Sequence, residues 1–167
     1  MSRLRAATLS LIAFAALVSA SCGASVDAVA ALEPVDVMTG WFDDGIVEGG
    51  KNKLVPIVSM KLRNKSQEEL RSIQINAIFR RVGEPEMWGE YFGWAITRQK
   101  PLAPGAETGL LVMKSTLGYT GDVGTTRMQM LQNQHFVDVK VAIFLKQGSK
   151  VLAKLAEYPI QRQLITK

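Results

Sequence analysis

Apolar and polar residues alternate one for one through three long segments of the chain. Val58, Met60 and Leu62 are separated by Ser59, Lys61 and Arg63. Ile73, Ile75, Ala77 and Phe79 alternate with Ser72, Gln74 and Asn76, and Ile78 makes part of the back face apolar too. Val137, Val139, Val141, Ile143 and Leu145 alternate with Asp138, Lys140, Ala142, Phe144 and Lys146. Side chains two apart share one face of a strand, so this period sends one set to a core and the other outward. A helix would need apolar positions three and four apart, which these segments lack. Strands are therefore predicted over 54–63, 69–81 and 136–146, with shorter ones at 110–113 and 151–158.

The residues between them agree. Asn64 to Glu68 and Lys146 to Lys150 have the length and polarity of hairpin loops. Asp43-Asp44-Gly45 and Glu48 to Asn52 bracket an irregular connection, and Pro101 and Pro104-Gly105 break the chain before Leu110. One stretch departs from the pattern: Met128 and Leu131 are three apart and no β-branched residue follows Thr126 before Val137, so a short helical crossover is predicted near 126–134. About seven or eight strands with almost no helix predict an all-β fold, an antiparallel immunoglobulin-like sandwich.

The first residues have a different character. Arg3 and Arg5 precede an apolar run from Ala6 to Val18, interrupted only by Thr8 and Ser10, and small residues follow at Ser19, Ala20 and Ser21. A basic start, a short apolar middle and a small-residue exit read as a secretory signal peptide over 1–21. The run of about 13 residues is too short to span some 30 Å of hydrocarbon as a permanent helix. The only cysteine, Cys22, stands directly after this exit. Ala20-Ser21-Cys22 resembles the lipobox of bacterial lipoproteins, although Ser19 stands where that family usually has an aliphatic residue. The resemblance implies that Cys22 is lipidated and becomes the mature N-terminus. Cleavage after Ala20, with Val18 and Ala20 as the small-residue positions, is the competing reading. A lone thiol has no internal disulfide partner, which favours modification. Diacylglycerol and N-acyl chains together would supply the two anchors that stable membrane attachment needs. Gly23 lacks the aspartate that in enteric lipoproteins accompanies inner-membrane retention, which implies the outer membrane or its periplasmic face. Residues 22–33 then read as anchor and tether, and 34–167 as the sandwich domain.

Charge points to no nucleic acid. Without residues 1–21, 18 basic side chains face 15 acidic ones, with no dense Lys/Arg block. Candidate chemistry is equally sparse. His135 is the only histidine, Asp138 would point to the opposite face of the same strand, and no Gly-x-Ser-x-Gly elbow exists. Asp43, Asp44 and Glu48 lack the Asp-x-Asp-x-Asp-Gly spacing of a calcium loop and read as turn residues. Gly118, Gly121 and Gly124 lack the lysine of a phosphate loop. No metal, cofactor or catalytic residue is predicted.

The segment Met87-Trp88-Gly-Glu-Tyr91-Phe92-Gly-Trp94 is half aromatic. As a strand it places Trp88, Glu90, Phe92, Trp94 and Ile96 on one face and Gly89, Tyr91, Gly93 and Ala95 on the other. The preferred reading packs Trp88, Phe92 and Trp94 into the core; the other makes Trp88, Tyr91 and Trp94 a surface for a glycan or small ligand. The order strand, Asn64-Lys-Ser, strand ending in Ile78-Phe79, long excursion, Leu102-Ala-Pro-Gly105, strand resembles FxLYD-type and water-stress-type immunoglobulin-like domains, without the Phe-x-Leu-Tyr-Asp string itself. The resemblance covers about half of the mature chain. It implies a sandwich in a bacterial envelope lipoprotein, here expected to be a non-catalytic structural or protein-interaction module, with a glycan- or small-ligand-binding module using strand 87–96 as the alternative. The expected partners are the membrane, through Cys22, and an envelope protein or glycan.

Overall fold

A computed structural model describes residues 26–165, and Cys22 with the signal segment lies outside them. A single helical turn, α1 (Ala28–Ala31), leads into the long strand β1 (Leu32–Val47). Gly49 and Gly50, with φ of 77° and 73°, close the turn to β2 (Lys51–Asn64). The stretch expected to be irregular is thus the closed end of a long hairpin, bulged between Asp43 and Ile46 where Asp43 Oδ1 accepts from the Gly45 amide at 3.0 Å. β3 (Ile73–Arg81), β4 (Gly89–Ile96), β5 (Leu111–Lys114) and β6 (Tyr119–Thr120) follow. Helix α2 (Arg127–Gln132), β7 (Val139–Gln147), β8 (Ala153–Pro159) and β9 (Leu164–Ile165) complete the fold.

Two sheets face each other. One has the order β5-β2-β1-β9, with β6 also on β2, and the other β4-β3-β7-β8. All pairings are antiparallel except the short β1–β9 pair. The fold is the expected all-β sandwich, and the expected crossover helix is α2, started by a capping box in which Thr126 and Gln129 satisfy each other's backbone amides. Because β2 and β3 lie in different sheets, residues 65–72 bridge the sheets and do not form a hairpin.

The alternating sets meet in the middle. Val58, Met60 and Leu62 of one sheet pack on Ile73, Ile75, Phe79, Val141, Ile143 and Leu145 of the other, all essentially inaccessible to solvent. One end of this core is aromatic: the ring of fully buried Trp41 lies 4.7 Å from Phe136, 5.6 Å from Tyr119 and 6.5 Å from Trp88.

Two expectations are corrected here. Residues 28–33, expected to belong to a tether, are part of the fold, because Ala28, Ala31 and Leu32 are buried members of the core. Asp27 caps the turn, its Oδ1 accepting from the Val29 amide at 3.0 Å, and the small alanines let it pack against β7 and β8. In β4 the inward face is Gly89, Tyr91, Gly93 and Ala95, while Phe92 and Trp94 point outward. Pairing with β3 decides this: Ala77 and Ile75, both in the core, sit opposite Tyr91 and Gly93, whereas Asn76 and Gln74 sit opposite Phe92 and Trp94.

Gly118 has no room for a side chain: a Cβ there would run into the Leu54 carbonyl oxygen and lie 2.7 Å from Val55 Cγ1. Since backbone is the obstacle, Gly118→Ala is expected to lower the unfolding free energy by about 1–3 kcal/mol, read as a reduced urea midpoint at unchanged slope.

Candidate functional site

In a sandwich the outer face of each sheet meets water, so its side chains should be polar. The outer face of the first sheet breaks this rule. Met38 and Phe42 of β1, Ile57 of β2, Leu110 and Val112 at β5, and Ile165 of β9 line a groove of about 500 Å³. Met38 and Leu110 are more than half exposed and Val112 is 44% exposed, while Ile57 forms a buried floor. The depression follows from small residues in the register. Ser59 sits between Met38 and Val112, and Gly40 sits beside Ile57. Gly40 also lets the last strand close in, because a Cβ there would lie 2.7 Å from Ile165 Cγ1 and 2.8 Å from the Gln163 carbonyl oxygen.

The rim carries charge. At one end Lys61 Nζ lies 2.7 Å from Asp36 Oδ2 and 3.8 Å from Glu107. The hydrogen bond and charge of Lys61 hold the Asp36 carboxyl below its usual range, and Asp36 in turn raises Lys61, so this end is internally neutralised. At the other, Lys114 Nζ sits 4.0 Å above the Phe42 ring, a cation–π contact, with no ion-pair partner among the described residues. The uncompensated rim charge is positive.

The predicted site residues scatter. Trp88 and Tyr91 are half-buried against the core, Trp88 with its ring 4.9 Å from Tyr119, while Trp94 is 52% exposed on the outer face of the second sheet. Trp88, Tyr91 and Trp94 therefore form no common surface. Trp94 instead neighbours Phe92, and the register sets Phe92, Asn76 and Phe144 in one row across three strands. Asn76 is buried there and its Oδ1 has no hydrogen-bond partner among the described residues.

No family model, curated protein or solved structure matches this chain.

His135 is exposed, and Asp138 is held by Arg162 at 2.6 Å. Asp43 pairs with Arg127 and Asp44 with Lys53, each at 2.9 Å. Among the described residues no three His, Cys, Asp or Glu side chains converge as a metal set would. Burial pushes the Tyr119 hydroxyl above its usual range, and its Oη donates to the Val137 carbonyl at 3.2 Å, a structural use of the group. The groove itself had one trace in the sequence. Leu110-Leu111-Val112-Met113 is apolar at both parities, on a strand whose outer face meets water.

Proposed function

We propose that this chain is a non-catalytic, exported binding module, held at a membrane of the cell envelope by lipidated Cys22 and engaging another envelope protein through the groove over β1, β2 and β5. The observation that carries this reading is the groove: six apolar side chains on a sheet face where water would select polar ones. Its chemistry selects the partner. An apolar ridge would fill the space between Met38, Phe42 and Val112, and an acidic group beside it would meet Lys114. The signal-like start, the lone Cys22 and the resemblance to envelope sandwich domains support the location.

Metabolic labelling with a fatty acid tests the anchor: wild type takes up label and Cys22→Ser does not, and an unlabelled wild type removes it. A photo-cross-linking residue at Val112 tests the groove in intact cells. A discrete adduct from Val112, absent from the exposed Val123 and lost with Phe42→Asp, is expected. Equal adducts from both positions would refute the groove as the contact.

The outer face of the second sheet favours a second reading, a glycan-binding module. Exposed Phe92 and Trp94 offer flat rings, and Gln74 and Asn76 lie beside them as amide groups. Adding envelope glycans should then change the tryptophan emission of wild type but not of Trp94→Ala; no change in wild type removes this reading.

A further inference from the structure

Where the described chain begins, the sandwich carries a concentration of charge and an exposed apolar tip. Val26 is held by Lys150, whose Nζ donates to its carbonyl at 3.0 Å. Lys150 belongs to the β7–β8 turn, and the next residues, Val151 and Leu152, are 87% and 38% exposed, the former the most exposed large apolar side chain of the domain. The segments 65–72 and 97–100 meet the same end, because Ile73 pairs with both Gln147 and Ile96 at the ends of β7 and β4. Together they bring Lys65, Arg71, Arg98, Lys100, Lys146 and Lys150 to one end of the molecule. The acids there are Asp27, Glu33, Glu68, Glu69 and Glu107, of which Asp27 caps α1, Glu69 pairs with Arg71, and Glu33 and Glu107 pair with Arg63. The opposite end carries Asp43, Asp44, Glu48, Glu84, Glu86 and Asp122 together with Lys51, Lys53, Arg80, Arg81 and Arg127, and ion pairs join Asp44 to Lys53, Glu84 to Arg81 and Asp43 to Arg127, so it is close to neutral. The excess of basic groups therefore lies where the chain comes in.

We infer that this end docks on an anionic membrane surface, with Val151 and Leu152 seated among the headgroups and the surrounding lysines and arginines on lipid phosphates. The argument from proximity rests on the lipid-anchor reading of Cys22. Cys22 and Val26 are four residues apart, and four extended residues span at most about 14 Å. An anchored domain thus cannot stand far from the bilayer. The end next to Val26 faces it, and that end has the composition of an interfacial contact, apolar tip inside a basic ring. A bilayer fits better than a protein partner, because the basic groups come from three separate segments around a single two-residue apolar tip, too small for a protein interface core. Docked this way the strands rise from the membrane, and the groove over β1, β2 and β5 faces sideways, open to a neighbour.

The test uses the full-length protein as purified from membranes of expressing cells, reconstituted into phosphatidylcholine vesicles containing phosphatidylglycerol and a nitroxide-labelled lipid. With Cys22 acylated, Val151→Cys supplies the only free thiol for an environment-sensitive fluorophore, and Val123→Cys at the far end serves as control. Quenching at 151 and none at 123 is expected. Lys100→Gln with Lys146→Gln should lower the docked-to-undocked ratio by about fivefold for each lysine neutralised, and removal of phosphatidylglycerol should lower it as well. Equal quenching at both positions, or none at 151, overturns the proposal. A shift at 151 that depends on protein concentration and not on quencher lipid also overturns it, in favour of self-association. If wild-type Cys22 itself reacts with the fluorophore, the anchor reading fails separately. The same pair in a Cys22→Ser background then decides docking alone.

Discussion

Trp41→Ala is expected to lower the unfolding free energy by about 3–5 kcal/mol, the range for truncating a fully enclosed large ring. Trp41 has no solvent exposure, and its ring touches those of Trp88, Tyr119 and Phe136, which come from three different parts of the chain. Its loss would open a void at the end of the core where β1, β6 and the segment before β7 converge, and backbone pairing on both sides of β1 limits collapse into it. Against a typical total of about 5–15 kcal/mol, that removes a large share of the stability. The indole Nε1 is buried with no hydrogen-bond partner among the described residues, so Trp41→Phe should cost much less than Trp41→Ala, since it keeps most of the ring and deletes an unsatisfied donor. Trp94→Ala, by contrast, should stay within about 0.5 kcal/mol, because Trp94 is half exposed on the outer face of an edge strand. Urea unfolding of the three variants checks the set. A Trp94→Ala loss equal to that of Trp41→Ala would mean that the two faces of β4 are assigned the wrong way round.

That contrast marks how far local sequence determines the fold. The alternation in 58–62, 73–79 and 139–145 names the core correctly, because each strand has one set large and apolar enough to be decisive. β4 is different. Both of its faces hold rings, and local pattern gives Trp88, Phe92 and Trp94 the stronger claim to the interior. The register with β3 overrules it: once Ile75 and Ala77 face the core, Gly93 and Tyr91 must too. Gly93 leaves the space this needs, since a Cβ there would lie 2.6 Å from Tyr91 Oη. Trp88 still turns inward because it precedes the strand, its amide donating to the Phe79 carbonyl at 2.9 Å.

The candidate surfaces are less legible for a related reason. Net charge and local runs suggest an ordinary solvated surface, yet Lys65, Arg98, Lys100 and Lys146 are brought to one end only by the folding of three segments that are far apart in sequence. The groove likewise needs β1, β2, β5 and β9 side by side before Met38, Val112 and Ile165 become neighbours. Local periodicity reports which face a residue occupies. It says nothing of which residues share that face from another strand.

Asn64→Asp, a change that leaves the side-chain volume almost untouched, is expected to destabilise the fold by about 3–5 kcal/mol at neutral pH, as breaking a buried polar pairing does. Asn64 has no solvent exposure and ends β2 where the chain crosses between sheets. Its Nδ2 donates to the Glu68 carbonyl at 2.8 Å and the Leu102 carbonyl at 3.0 Å, and its Oδ1 accepts from the Ser66 amide at 3.0 Å and the Ser66 hydroxyl at 2.7 Å. Its own backbone bonds Ala106 and Gly105, so one residue fastens the crossover to the 102–106 loop. An ionised carboxylate at this position would turn an acceptor toward two carbonyl oxygens and bury its charge. A protonated one can still donate to one of them, so folding raises the pKa of the introduced carboxyl above its unfolded value. The folded form then binds the extra proton, and stability relative to wild type should fall as pH rises from about 4 toward 7. Asn64→Leu, which takes one donor from each of these carbonyls and leaves the Ser66 amide without its acceptor but carries no charge, should be destabilised with no such slope. Urea unfolding of both variants against wild type at the two pH values separates these outcomes. A pH-independent loss in Asn64→Asp would mean that the carboxyl escapes to solvent, and that the crossover is held by its backbone bonds alone.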